Sequence, residues 1–329
     1  MPDPLLFGEI DPPQRLLMGP GPVNAHPRVL RAMSADLLGQ FDPEMTAYMN
    51  QVMALYRPVF GTQNRWTMMV DGTARAGIEA ALVSAIQPGE TALVVNFGRF
   101  GLLLQEILTR IGARFETVDA PWGEVVSTDA IRDAARRLRP ALICSVHGDT
   151  STTMAQPLDG IGAIAREVGA LVYVDATATI GGMEIAADRW GVDIVTGGLQ
   201  KCLGGPSGIA PITISDAAAE RIFARRHDEK GIRAADAVDG HGPRIASNYF
   251  DLAMIMDYWS EKRLNHHTEA TSMLYGAREC ARVALGEGLE ARFARHRAAG
   301  AAMGAGLRAM GLTLFGDDAH RMTNVTGVY

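Results

Sequence analysis

The 329-residue sequence has only three cysteines, Cys144, Cys202 and Cys280, and no CxxC pair among them. Bridging two would leave one unmatched, so no disulfide framework is indicated and a reducing cytoplasm is the expected compartment. No basic segment followed by a long apolar run opens the chain, and no stretch approaches the roughly 20 apolar residues of a membrane span. Neither export nor membrane insertion is therefore expected. A formal charge of −6 leaves no broad basic surface, so nucleic acid and anionic membranes are not expected partners. Also missing are a GxGxxG after the first strand, a GxxxxGK[ST] loop, an HExxH pair and a GxSxG elbow. Dinucleotide, P-loop, zinc-protease and serine-hydrolase chemistry thus have no framework. His266 and His267, adjacent on an expected helix, would point apart and read as surface or interface residues, and no metal centre is expected.

What is present is apolar material in alternation. With 47% hydrophobic residues the chain can bury a large core. Short β-branched runs at 66–70, 92–96, 141–146, 170–175, 193–196 and 209–214 alternate with segments of helical period at 74–86, 98–111, 128–137 and 160–168. That order implies a mostly parallel sheet sandwiched by helices. From about Asp251 strands give way to two long expected helices, 252–285 and 289–310, and then to an expected strand at 322–329 with no following partner. The expected organisation is an N-terminal arm over residues 1–24, a large α/β domain over 25–286, and the start of a smaller α/β domain over 287–329.

Lysine is the scarcest informative residue, because of 31 basic side chains only Lys201, Lys230 and Lys262 are lysines. Lys230 and Lys262 sit among other charges and read as solvated. Lys201 ends the run Asp193-Ile-Val-Thr-Gly-Gly-Leu-Gln-Lys at the exit of a buried strand. A lysine there has a readily lowered pKa and can form an imine with a carbonyl cofactor. Asp175 ends a central strand, where ligands of open α/β sheets bind, and could keep a pyridine nitrogen protonated. Asp71-Gly-Thr-Ala-Arg-Ala-Gly turns a strand into a helix and offers Thr73, Arg75 and backbone N–H groups to a phosphate. His147-Gly-Asp-Thr-Ser-Thr-Thr supplies hydroxyls at another strand end. Each motif alone has an ordinary alternative: a strand-end lysine reaching water, an aspartate cap, an N-cap turn, a Ser/Thr turn.

In their order along the chain, from Leu17-Met-Gly-Pro-Gly-Pro to Asn265-His-His-Thr, these motifs resemble the class V aminotransferases of the fold-type-I pyridoxal-phosphate superfamily. The resemblance implies pyridoxal 5'-phosphate as cofactor, Lys201 as its covalent anchor and proton carrier, and Asp175 beside the pyridine nitrogen. It implies Thr73, Ala74, Arg75 and Gln200 around the phosphate, with Thr268 added from the neighbouring subunit of a homodimer. Ser151 would lie beside the ring, Thr177 on one face and Phe100 on the other. Gln40 and Asn265 are implied in substrate binding. Their amides match a ureido group and point toward the branch that passes the amino group of a ureido-bearing donor to glyoxylate in purine breakdown. Alanine or serine is the alternative donor, and a non-catalytic relative the alternative from another class. A cysteine desulfurase would need a mobile cysteine, which neither Cys202 nor Cys280 can supply. Relatives continue beyond the point corresponding to Tyr329 and bind the substrate carboxylate there with an arginine; no residue of this chain is assigned that role, and the small domain is expected to be incomplete.

Overall fold

The computed structural model describes residues 8–233 and 237–329. The first seven residues of the expected arm lie outside them. Two helices precede the sheet, α1 (Pro27–Met33) and α2 (Pro43–Phe60). In α2 the Asp42 carboxylate caps the Glu44 N–H, Pro43 takes the first turn, and Gly61 ends the helix in the left-handed region at φ 60°.

Strand β1 (Trp66–Gly72) leads into α3 (Ala74–Ala85), β2 (Thr91–Asn96) into α4 (Arg99–Ile111), and β3 (Arg114–Asp119) into α5 (Thr128–Leu138). After β4 (Leu142–Val146) comes a small antiparallel pair, β5 (Gly148–Asp149) and β6 (Met154–Ala155), then α6 (Ile161–Val168) and β7 (Leu171–Asp175). The chain continues through α7 (Ala187–Trp190), β8 (Ile194–Thr196), β9 (Gly208–Ile214) and α8 (Asp216–Phe223). Three helices follow: α9 (Leu252–Trp259), α10 (Thr271–Glu287) and α11 (Leu289–Ala309).

The seven-stranded sheet has the order β1-β9-β8-β7-β4-β2-β3. Only β9 runs against its neighbours, β1 and β8; the other pairings are parallel. Residues 92–95 of β2 and 142–144 of β4 are wholly buried, as strands covered on both faces must be. The register aligns Val146, Asp175 and Thr196, so the C-terminal ends of β4, β7 and β8 open on one edge.

Helix α3 lies close on that sheet: a Cβ on Gly77 would come within 2.9 Å of the Ala210 Cβ in β9. Its far end is held by Arg225, 1% exposed, whose guanidinium donates to the carbonyls of Val83, Ser84 and Ile86 at 2.8–3.0 Å. A cation among the last carbonyls of a helix satisfies orphan acceptors and complements the helix dipole.

Three expectations need correction. The helix expected over 252–285 is two helices, because Ser260 leaves α9 in an extended conformation and Arg263 takes a positive φ of 46°. His266 and His267 consequently sit in a loop. No strand forms over 322–329; Val328 bridges Leu314 and Arg321 bridges Met154 singly, while the Asn324 amide donates to the Ala178 carbonyl. Strand β3 was not anticipated, because at the sheet edge it alternates exposed and half-covered residues instead of running apolar. Among the described residues no helix is long and apolar enough to cross a membrane.

Candidate active site

At the C-terminal edge of the sheet a cavity of about 320 Å³ is lined by Thr73, Ala74 and Arg75, by Asp175 and Thr177, by Gln200 and Lys201, and by Phe100. Eight of the residues singled out in the sequence thus meet in one place. Thr73 stands at the N-cap of α3, yet its side chain makes no capping bond. The hydroxyl and the first-turn N–H groups are left to the cavity, which suits an anion.

Asp175 is 3% exposed and accepts from the Thr177 N–H at 2.9 Å. Burial raises its pKa; the hydrogen bond from the Thr177 N–H and, more weakly, the Lys201 charge act in the opposite direction. Burial lowers the pKa of Lys201, against the smaller opposing effects of Cys202 and Asp175. Its Nζ donates to the Pro20 carbonyl at 2.5 Å. The arm crosses directly over this side chain: at Gly21, where φ is 130°, a Cβ would approach Nζ to 2.6 Å. Val23 N–H to Gln200 and His26 N–H to Gly204 fix the arm along the lysine loop. Lys230 and Lys262 are exposed, as their sequence surroundings imply.

Two buried oxygens in this cavity, Thr177 Oγ1 and Gln200 Oε1, have no hydrogen-bond partner among the described residues. Unpaired polar atoms cost free energy when buried, so their convergence on one cavity marks a place built for a polar ligand.

Ser151 does not line the cavity. Its hydroxyl donates to Asp149 at 2.6 Å and accepts from the Arg99 N–H at 3.0 Å. Asp149, wholly buried, also accepts from the Phe100 N–H at 2.8 Å. Together they cap α4, whose own N-cap residue is glycine, and set the position of Phe100. Thr150, one residue earlier, lines the cavity instead, with Gly21, Pro22, Gly148 and Ser207. The aspartate within His147-Gly-Asp was the available sign of this cap. His147 itself is buried against Trp190, with Nδ1 2.8 Å from the Thr179 hydroxyl, and burial lowers its pKa to about 4.

Gln40, Asn265 and Thr268 lie outside the cavity of their own chain. Gln40 and Asn265 meet each other, Nε2 to Oδ1 at 3.4 Å, although 225 positions separate them. Asn265 and Thr268 are exposed. Beside them the loop turns inward: His267 Nε2 is 3.2 Å from Asp71 Oδ2, which also accepts from the Ala270 N–H at 3.0 Å.

The family description "Aminotransferase class-V" matches residues 29–328. The chain is 51% identical over 323 residues to the (S)-ureidoglycine--glyoxylate transaminase of Bacillus subtilis (strain 168), covering 97% of this chain and 77% of that protein. It is 33% identical over 320 residues to the alanine--glyoxylate aminotransferase of Rattus norvegicus, covering 96% and 73%. Among solved structures, the ureidoglycine-glyoxylate aminotransferase of Bacillus subtilis superposes with a TM-score of 0.91 at 48% identity, over 98% of this chain and 79% of that one. An alanine--glyoxylate aminotransferase from Nostoc sp. superposes with a TM-score of 0.91 at 36% identity, over 98% and 82%.

Proposed function

The chain belongs to the class-V aminotransferases, and we propose that it passes the amino group of (S)-ureidoglycine to glyoxylate, with pyridoxal 5'-phosphate as cofactor. The observation that carries the donor is the 51% identity to a ureidoglycine transaminase, against 33% to an alanine enzyme. The pairing of Gln40 with Asn265 supports it, because two adjacent amides offer donors and acceptors to a ureido group.

The cavity residues fit the cofactor. Thr73, Ala74 and Arg75 at the start of α3, with Gln200, would hold its phosphate. Asp175 would face the pyridine nitrogen, Phe100 and Thr177 would flank the ring, and Lys201 Nζ would hold the carbonyl carbon. When bound, the cofactor supplies an electron sink for the charge left on the donor's α-carbon. Asp175, buried among apolar strands, would offset its desolvation cost by pairing with the cofactor's ring nitrogen. Lys201 Nζ, with its pKa lowered by burial, would take the proton from the donor's α-carbon and return it during the transfer. The amino group ends on glyoxylate as glycine, and the donor leaves as oxalurate.

Gln40, Asn265 and Thr268 are proposed to act on the cavity of a second copy in a homodimer, since none lines its own. Ser151 would act at one remove, holding Phe100 through Asp149 and α4. The test is kcat/KM for ureidoglycine, generated in the assay, against alanine and serine, each with glyoxylate. Ureidoglycine should be preferred by at least about tenfold, as expected when a hydrogen-bonding site meets an analogue without the matching groups. Preference for alanine or serine would overturn the donor assignment and leave the family intact.

A further inference from the structure

Outside the cavity, the end of β1 and the loop before α10 bring together Asp71, His267 and Glu269, whose ligand atoms all lie within 4.8 Å of one another. Asp71 and His267 side chains are 10% exposed and Glu269 5%. Both carboxylate oxygens of Glu269 are buried and have no hydrogen-bond partner among the described residues. So is the hydroxyl of Tyr258, a wholly buried residue whose ring packs 4.8 Å from that of His267. That hydroxyl lies beside Glu269 without reaching it in good hydrogen-bonding geometry. Arg263, whose charge acts on Glu269, spends its terminal nitrogens on the Tyr258 and Trp259 carbonyls and on Asn50.

The histidine pair sets the orientation. The Asn248 carbonyl can only accept, so His266 Nε2, 3.2 Å away, carries a proton. In the arrangement a bound cation would require, His266 Nδ1 accepts from His267 Nδ1–H, the two nitrogens being 2.8 Å apart. His267 Nε2 is left as a lone pair facing Asp71 Oδ2 at 3.2 Å. An imidazole nitrogen and two carboxylates converge, with the Ala270 N–H on Asp71 and the Tyr258 hydroxyl beside Glu269 as the neighbouring donors. An outer hydrogen bond that fixes the far ring nitrogen is the usual companion of a metal-bound histidine. We propose that Asp71, His267 and Glu269 form a binding site for a divalent cation of borderline softness, represented by Zn²⁺.

The mixed set of two carboxylates and one imidazole suits zinc or manganese better than calcium. Bonds of about 2.0–2.2 Å at tetrahedral angles space ligands roughly 3.4 Å apart, close to the Nε2–Oδ2 separation in place. The ion would tie the end of β1 to the loop carrying Asn265 and Thr268, independently of any cofactor. The rival occupant is protons alone, on Glu269 and His267.

The test uses the holoenzyme stripped with EDTA and titrated calorimetrically with ZnCl₂ and, separately, MnCl₂. Uptake of one zinc ion per chain is expected, accompanied by a higher thermal midpoint. Glu269→Gln, which keeps the shape, should weaken binding at least about tenfold, and His267→Gln should do the same if the first variant folds poorly. Absence of uptake of either ion by the stripped parent, or uptake that neither substitution weakens, would overturn the site in favour of shared protons or of binding elsewhere.

Discussion

The cavity at the sheet edge and the loop between α9 and α10 both carry residues singled out in the sequence, but they hold them differently. Asp175, Thr177 and Lys201 stand at or just beyond strand ends, their positions set by a register that aligns Val146, Asp175 and Thr196. Asn265 and Thr268 stand exposed in a loop, and Asn265 finds only Gln40. The cavity is assembled by the fold of one chain. The outward side of the loop meets no cavity of its own chain, as the proposed sharing of an active site between two copies requires.

Removing Lys201 should produce the largest contrast. Lys201→Ala is expected to lower kcat by about 10³-fold or more, since it removes the proposed proton carrier and covalent anchor. Stability should change little, because Nζ has a single partner in the arm. Borohydride reduction of the parent followed by peptide mapping should place the pyridoxyl group on Lys201; a label on Lys230 or Lys262 would refute the assignment.

The second contrast is one of pH. His147, on the cavity side, has its pKa lowered by burial from 6.5 to about 4, so the folded state resists the proton that the unfolded state accepts. Above pH 6.5 both states are neutral and the contribution is fully present. It is lost as pH falls from there through 4. Between pH 7 and pH 5 the parent should lose about 2 kcal/mol on this account. Urea unfolding of the parent and of His147→Gln at the two pH values tests it, the variant being expected to show a smaller drop.

On the loop side, Asn265→Tyr should cost about 1–3 kcal/mol in kcat/KM for ureidoglycine, the scale of a polar group left without its partner. The same change should leave the urea midpoint nearly unaltered, as for an exposed residue. An unchanged donor ratio would remove Asn265 from substrate selection. The smallest effect belongs to mixing: Lys201→Ala and Asn265→Tyr chains, allowed to exchange, should regain about a quarter of parental activity if a two-fold dimer shares its sites. Failure to exceed the sum of the separate variants, with exchange demonstrated, would place each site within one chain.

The same contrast explains what could be read from the sequence. Runs such as Ala170-Leu-Val-Tyr-Val-Asp announce a buried strand with a polar terminus, so Asp175 and Lys201 could be located by pattern. Gln40, Asn265 and Thr268 carry no such local mark and were named through family resemblance alone. Strand β3 escaped notice because an edge strand alternates where interior strands do not. Asp71 was read within a phosphate turn, yet its carboxylate faces His267 across 196 positions of chain, a distance no local period encodes. Arg225 was not singled out in the sequence, where it stands in a run of charges before Lys230, while its guanidinium is the buried cap of α3.

That cap has an entropic consequence. A helix of 12 residues is short enough to fray on its own, and ordering frayed turns would be charged against any anion arriving at its N-terminus. With two of its late carbonyls and that of its C-cap Ile86 clamped by Arg225, α3 has little disorder left to surrender when its first turn meets a phosphate. Its amides should therefore exchange with solvent deuterium as slowly before the anion binds as after, and Arg225→Met should open that gap by loosening the end farthest from the ligand.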